Sequence, residues 1–347
     1  MMIILDKLIN KLNQRIAKEK PASAKIKVDP EDFLVDEIPA YEFNGEGEHA
    51  YLHVQKRLQT TEEIVTILKG IFGCHDRDIG YAGKKDKFAV TQQYFSVKQP
   101  WHRDLSEIQK QIEDASDIKI LAMHKHINKL KLGHLKGNRF KIILRDYSSD
   151  VHIDTLMKQI TEQGVMNYVS SQRFGHDHKT LAIAYDLMAG KTIKKRWLRQ
   201  LALSAWQSAL FNIYLDLRLE SNNYNELLKG DVALKLENDA PFIVEDAALE
   251  QNRFDTRDIV YSGPFFGYKM KAAEYDAATL EAAIIDEFDV DLELLKNVDL
   301  VGERRPAIIY PGEFEYKLTG DVLELSFSLR KGAYATTVIE SFCSGQE

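Results

Sequence analysis

The order of hydrophobic periodicities constrains this chain's fold more than any other feature. Short segments that read as strands follow one another through the first half, at 25–28, 33–38, 50–55, 90–97, 119–123 and 139–144. In the third of these, Ala50, Leu52 and Val54 alternate with more polar residues; in the last, Phe140, Ile142 and Leu144 alternate with Arg139, Lys141 and Ile143. A period of two with one apolar face is the pattern of a half-buried strand. A helix sits between them. Thr60-Thr61-Glu62-Glu63 has capping-box spacing, Ile64, Val65, Ile67, Leu68, Ile71 and Phe72 are expected to face the core, and Gly73 can close the helix. Strands and helices do not alternate as βαβ units, so the expected class is α+β, with a mostly antiparallel mixed sheet.

Further along, Asp150 is placed to cap a helix carrying Leu156, Met157 and Ile160, closed by Gly164. Residues 197–219 and 277–288 read as helices, and 322–327 as a strand. At the start, Leu5, Leu8, Ile9, Leu12 and Ile16 recur at helical spacing. The opening apolar run is broken by Asp6, too early for a signal peptide, and no segment approaches transmembrane length. The two cysteines, Cys74 and Cys343, form no CxxC pair, so reduced thiols in a cytoplasmic protein are expected. With 347 residues the chain can form one large domain or two ordinary ones.

The net charge of −7 argues mildly against a nucleic-acid partner, but the charge is polarised. Between Ile118 and Arg145 there are eight Lys and Arg and no acid, and a second basic run joins Lys191, Lys194, Lys195, Arg196 and Arg199. A charge run is most often a solvated face; two of them make a phosphate-backbone contact surface worth weighing. His124 and His126 resemble a metal pair but lack a third ligand nearby in sequence, and read as surface residues.

The densest chemistry lies in Gly80-Tyr81-Ala82-Gly83-Lys84-Lys85-Asp86-Lys87-Phe88-Ala89-Val90-Thr91. It sets one carboxylate among three lysines, just after two glycines and before a strand. Fixed cations favour the charged form of a carboxylate. An ionised Asp in such a bend can act as a nucleophile or stabilise a developing cation. Taken alone, the segment is also an ordinary charged surface turn.

Five other segments stand with it in order: Pro30–Glu37, Gly45–His49, Lys131–Phe140, Asn167–Gly175 and Phe327–Thr337. Together they resemble the signatures of the TruD-type tRNA pseudouridine synthases, over roughly residues 25 to 340. The resemblance implies a pseudouridine synthase catalytic domain at 1–155 and 306–347. An α/β domain particular to this branch would be inserted at 156–305. It implies conversion of uridine 13 of tRNA, in the D-arm region, to pseudouridine by a monomer. As an isomerisation the reaction calls for no ATP, metal or redox cofactor. Asp86 would be the essential carboxylate, attacking C1′ or assisting glycal formation, with Lys85 and Lys87 holding it ionised. Lys27 would pair with Asp86 or a phosphate. Phe140 would stack on the flipped uracil, Phe327 would be a second wall, and Asn138 would read the base edge. Arg139, Lys131 and Lys136 would hold flanking phosphates, and Gln172, Arg173 and Phe174 would face the cleft. The chain departs from the pattern at Lys84, at Ser170-Ser171 and at Arg330.

Phe140 and Phe327 each have a plain alternative as a core residue, Lys27 as an exposed lysine and Asn138 as a turn residue. Two other classes of protein also fit the residues. One is a non-catalytic RNA-binding protein on the same scaffold. The other is a glycosidase-like or phosphate-handling enzyme, which would want a second carboxylate, for which Glu31, Asp32 and Glu37 are the nearest offers.

Overall fold

The computed structural model describes residues 2–16, 20–43, 45–98, 105–115 and 117–346. The chain divides into two compact units, Lys20–Thr161 with Pro311–Glu347, and Met1–Glu19 with Glu162–Tyr310. The crossings fall five or six residues later than the expected borders at 155 and 305. Residues 1–19 also belong with the 162–310 unit, not with residues 20–161. The reason is packing. In the helix Met2–Ile16, Leu8 and Leu12 are fully buried in the same core as Trp206 and Ile284. The side chain of Ile16 lies outside those described.

The first unit is built on a ten-stranded sheet. Its strands are β1 (Ala22–Ile26), β2 (Phe33–Pro39), β3 (His49–Arg57), β4 (Ile79–Tyr81) and β5 (Val90–Lys98). They continue with β6 (Lys119–His126), β7 (Leu135–Ser149), β8 (Gly312–Thr319), β9 (Val322–Arg330) and β10 (Cys343–Gln346). The main order is β8-β9-β7-β2-β5-β3-β6, with β1 between β7 and β10 and β4 on the end of β5. Among the described residues only the β2–β5 and β1–β10 pairings are parallel, so the α+β class and the mostly antiparallel sheet hold.

Alternation decides which side chains share a face. On β7, Phe140, Ile142 and Leu144 are buried, whereas Arg139 and Lys141 are exposed. Phe140 sits opposite Val35 of β2 and Phe327 of β9, and Asn138 opposite Glu37 and Leu329. The helix Thr61–Phe72 forms as expected. Thr60 Oγ1 accepts from the Glu63 N–H at 3.1 Å, and Glu63 Oε2 accepts from the Thr60 N–H at 2.6 Å. Gly73 takes a left-handed φ of 63° and caps onto the Lys69 carbonyl, and Ile64, Leu68 and Phe72 pack on Leu52, Val54 and Phe95.

Several boundaries differ from expectation: the strand expected at 139–144 extends over Leu135–Ser149, and those expected at 119–123 and 322–327 run on to His126 and Arg330. The strand expected at 25–28 runs over Ala22–Ile26 and stops because Lys27 takes a positive φ of 57°. The helix expected from Asp150 starts at Ile153, the Asp150 N–H being taken by the Pro21 carbonyl at 3.0 Å.

In the second unit the helix Arg196–Glu220 runs through the core. It packs on a four-stranded sheet ordered Pro241–Ile243, Val232–Lys235, Ile259–Phe265, Glu303–Pro306. Arg218 and Asp231 form a fully buried ion pair there, at 3.0 Å. No helix among the described residues is long and apolar enough to cross a membrane.

Candidate active site

The residues between β4 and β5 form a loop that the rest of its unit holds in place through the main chain. The Lys85 N–H donates to Thr61 Oγ1 at 3.1 Å, and Thr61 Oγ1 donates to Gln93 Oε1 at 3.1 Å. Gln93 Nε2 donates to the Gly83 carbonyl. The Gly133 N–H donates to the Ala82 carbonyl at 2.7 Å. Lys56 Nζ donates to the Asp86 carbonyl at 3.1 Å and the Gln59 carbonyl at 2.5 Å. Thr61, Gln93 and Lys56 are all buried, so these bonds are shielded from water.

The loop edges a cavity of about 610 Å³. Phe33, Val35, Leu135, Asn138 and Phe140 of the sheet line it, together with Ala82–Asp86, Gly133 and the segment Lys331–Thr336. Asp86 is the one carboxylate among the described residues that line it, and its side chain is 58% exposed. Lys27 Nζ lies 3.1 Å from Asp86 Oδ2 and 4.6 Å from the centre of the Phe33 ring. The left-handed Lys27 backbone thus sits at the site itself. A non-glycine residue there is strained and persists only where its surroundings hold it.

Lys85 turns the other way. Its ammonium is 2.9 Å from Glu37 Oε2 and donates to Asn138 Oδ1 at 2.6 Å. Glu37 is almost wholly buried and also accepts from the Tyr94 N–H at 3.3 Å. Burial pushes the Glu37 carboxyl above the usual glutamate range, against the pull of Lys85. With Oδ1 of Asn138 taken by Lys85, the amide NH₂ is left to meet an acceptor in the cavity.

The structure therefore corrects the expected partners of Asp86. Lys85 pairs with Glu37, and Lys87 is exposed and pairs with Glu63 at 3.1 Å. Among the described residues only Lys27, 59 residues away in sequence, pairs with the carboxylate. Arg139 is not in the lining either. It lies on β7 between Asn138 and Phe140, so alternation sends it to the opposite face, where it pairs with Glu313 at 3.2 Å. Phe327 is buried beside Phe140 on the neighbouring strand, ring centres 5.6 Å apart, and does not line the cavity. Gln172 and Arg173 are exposed in the single turn Ser171–Phe174 of the other unit, with Arg173 donating to Ser204 Oγ at 2.6 Å. Phe174 is fully buried in that unit's core and has no face left for a ligand.

The eight-cation stretch is partly neutralised. Arg139, Lys141 and Arg145 pair with Glu313, Glu324 and Asp32, while Lys131 and Lys136 remain exposed beside Gly133 and Leu135. His124 and His126 stack on Phe43 and Tyr41. The acids that could have served a second-carboxylate mechanism are committed elsewhere: Glu31 to Arg57 at 2.6 Å, Asp32 to Arg145 at 2.7 Å, and Glu37 to Lys85. Sequence reading missed Lys56 altogether. The signal was present, because Lys56 continues the inward parity of Ala50, Leu52 and Val54.

A family model described as tRNA pseudouridine synthase D (TruD) matches residues 11–197 and 186–342. A tRNA pseudouridine synthase D of Thermus thermophilus is 36% identical over 317 residues, spanning 91% of this chain and 87% of the relative. That of Syntrophotalea carbinolica is 35% identical over 395 residues, spanning 94% and 98%. A solved Methanosarcina mazei structure, titled a putative tRNA pseudouridine synthase D, superposes with a TM-score of 0.71, covering 95% of this chain and 97% of that one. At 21% identity this last likeness speaks for the fold.

Proposed function

Because the chain belongs to the tRNA pseudouridine synthase D family, we propose that Asp86 is the nucleophile with which it isomerises uridine 13 of tRNA. The isomerase activity itself follows from family membership. The observation that carries the role of Asp86 is its isolation: it is the single carboxylate of the described cavity lining, with Lys27 beside it. A glycosidase-like pair of acids has no second member there.

The target uridine leaves its stack and enters the cavity. The Asp86 carboxylate attacks ribose C1′ as the bond to uracil N1 breaks. The freed base turns, C5 bonds to C1′ as the carboxylate leaves, and C5 gives up its proton while N1 gains one. Nothing is oxidised or reduced, so the reading requires no cofactor. Lys27 pairs with the carboxylate and orients it before attack. The Asn138 NH₂ donates to a uracil carbonyl, and the exposed edge of Phe140 borders the base. Lys131 and Lys136 meet flanking phosphates of the D-arm region, as does Lys27 once Asp86 has engaged the sugar. In this reading the enzyme works in the cytoplasm as a monomer.

The test uses pure protein and tRNA carrying tritium at uracil C5, with no added cofactor. Tritium should be released, and the pseudouridine should map to position 13. Asp86→Asn should bind the same tRNA yet release tritium about 10⁴-fold more slowly or worse, the scale of losing a nucleophile. Parental release by Asp86→Asn would remove that residue from the chemistry. Product only at other positions would overturn the assignment to uridine 13.

A further inference from the structure

Beneath the loop that carries Asp86 lies a cation that the reaction above does not use. Lys56 is 1% exposed and sits at the inward end of β3. Its ammonium forms no ion pair among the described residues. Instead it spends two donors on main-chain carbonyls, those of Gln59 at 2.5 Å and of Asp86 at 3.1 Å. The first belongs to the turn that leads into the helix Thr61–Phe72, and the second to the proposed nucleophile itself. Burying an ammonium without a counter-ion is expensive, and a fold needing only a packed strand end would place an apolar residue there. The charge must therefore offset its cost by what it holds.

We propose that Lys56 is a positioning residue: its buried ammonium ties the Asp86 main chain to the Gln59 turn and so fixes the carboxylate over the cavity. This rests on Asp86 being the nucleophile. A carbonyl bound to a cation makes a shorter, stronger bond than one bound to a neutral donor. Two such bonds from one rigidly buried group restrict the main-chain torsions on either side of Asp86. Among the described residues the 58% exposed carboxylate has only Lys27 to orient it from the side-chain end, so the main-chain anchor completes its placement.

The charged groups facing Lys56 are Asp86 and Lys85 of the loop and Glu62 and Glu63 of the helix. The two glutamates are themselves paired, with Lys84 and Lys87. Burial pushes the Lys56 ammonium down to about 8, with Asp86 pulling the other way. A lysine whose folded value lies below its unfolded one costs stability below that folded value, and the cost is relieved as pH rises past it. Lys56 thus weakens the fold at neutral pH while it holds the loop. A purely structural lysine would do the reverse.

The experiment measures kcat, KM for tRNA and melting temperature from pH 6 to 9.5 for the parent, Lys56→Met, Lys56→Arg and Asp86→Asn. Lys56→Met should lower kcat about 10- to 100-fold, the scale of a misplaced reacting group, with KM within about threefold. Its melting temperature at pH 7 should be no more than a few degrees below that of the parent. The parent's kcat should decline above pH 8 as the ammonium is lost. Lys56→Arg stays charged throughout that range, so it should recover part of kcat and lose the alkaline decline. Parental kcat in Lys56→Met, or the same alkaline decline in Lys56→Arg, would overturn the proposal. If Lys56→Met fails to fold, the Lys56→Arg profile decides alone. Parental activity in Asp86→Asn would instead sink the nucleophile reading, a separate outcome.

Discussion

Lys85→Met isolates the ion pair under the site. The Lys85 side chain is 6% exposed and that of Glu37 1%, so solvent screens the pair little. Methionine keeps most of the stem's volume and removes the charge, which leaves Glu37 with the Tyr94 N–H as its remaining donor. Removing one partner of a buried pair costs about 3–5 kcal/mol, because the other charge is left uncompensated. For a unit of this size, each kcal/mol lowers the melting temperature by about 2–4 °C, so a fall of about 6–20 °C is expected at pH 7.5.

The pH dependence gives the refutation its edge. Burial already raises the Glu37 carboxyl above its ordinary 4.5, and loss of Lys85 removes the largest opposing effect. A carboxyl raised in the folded state holds a proton that the unfolded chain has released, so stability falls as pH climbs from 4.5 through the raised value. Lys85→Met should therefore lose ground to the parent with rising pH and approach it near pH 5. Adding Glu37→Gln should restore much of the loss at pH 7.5 and flatten the slope, since two neutral groups carry no stranded charge. Melting followed by circular dichroism at pH 5, 6, 7 and 8 reads both effects. A Lys85→Met protein that melts within about 2 °C of the parent at every pH would show that the pair is not electrostatically coupled.

Two further changes test the fold that carries the site. A Cβ on Gly137 would lie 2.0 Å from the Leu329 carbonyl oxygen, so Gly137→Ala must push β7 from β9. It should cost about 1–3 kcal/mol in a urea titration, and an unchanged midpoint would refute the close approach. In the other unit, Arg218→Met strands buried Asp231, whose carboxyl burial already raises. Guanidinium unfolding followed by the fluorescence of buried Trp206 should lose about 3–5 kcal/mol, and parental stability would contradict the pairing.

What is legible in the sequence follows a physical division. The strands, the capped helix and the bend at Asp86 are local, set by alternation, capping spacing and glycine, and they formed where expected within a few residues. Partnerships were not local. Lys85 and Lys87 flank Asp86 in sequence, yet in a bend neighbouring side chains diverge, and each found an acid of its own. The cation that reaches Asp86 comes from Lys27, where the chain breaks out of β1 with a backbone angle that no composition signals. Residues 1–19 went to the other unit because two leucines fit its core, a choice made by shape.

Strand parity points to the site more sharply than charge does. Phe33, Val35 and Glu37 share one face of β2, Asn138 and Phe140 one face of β7, and Ala50, Leu52, Val54 and Lys56 one face of β3. In each series an apolar run admits one polar or charged side chain on its inward side. Such a group is costly to bury unless something satisfies it. Glu37 and Asn138 meet at Lys85, and Lys56 meets the Asp86 carbonyl. By the same rule Arg139, on the outward parity of β7, is excluded from the cavity by its place in the sequence alone. A polar residue that breaks the inward side of a strand therefore carries more information here than a charge cluster along the chain. The cluster at 118–145 spent three of its cations on pairs with Glu313, Glu324 and Asp32, away from the cavity lining, whereas the inward exceptions on these three strands all converge on the loop that holds Asp86.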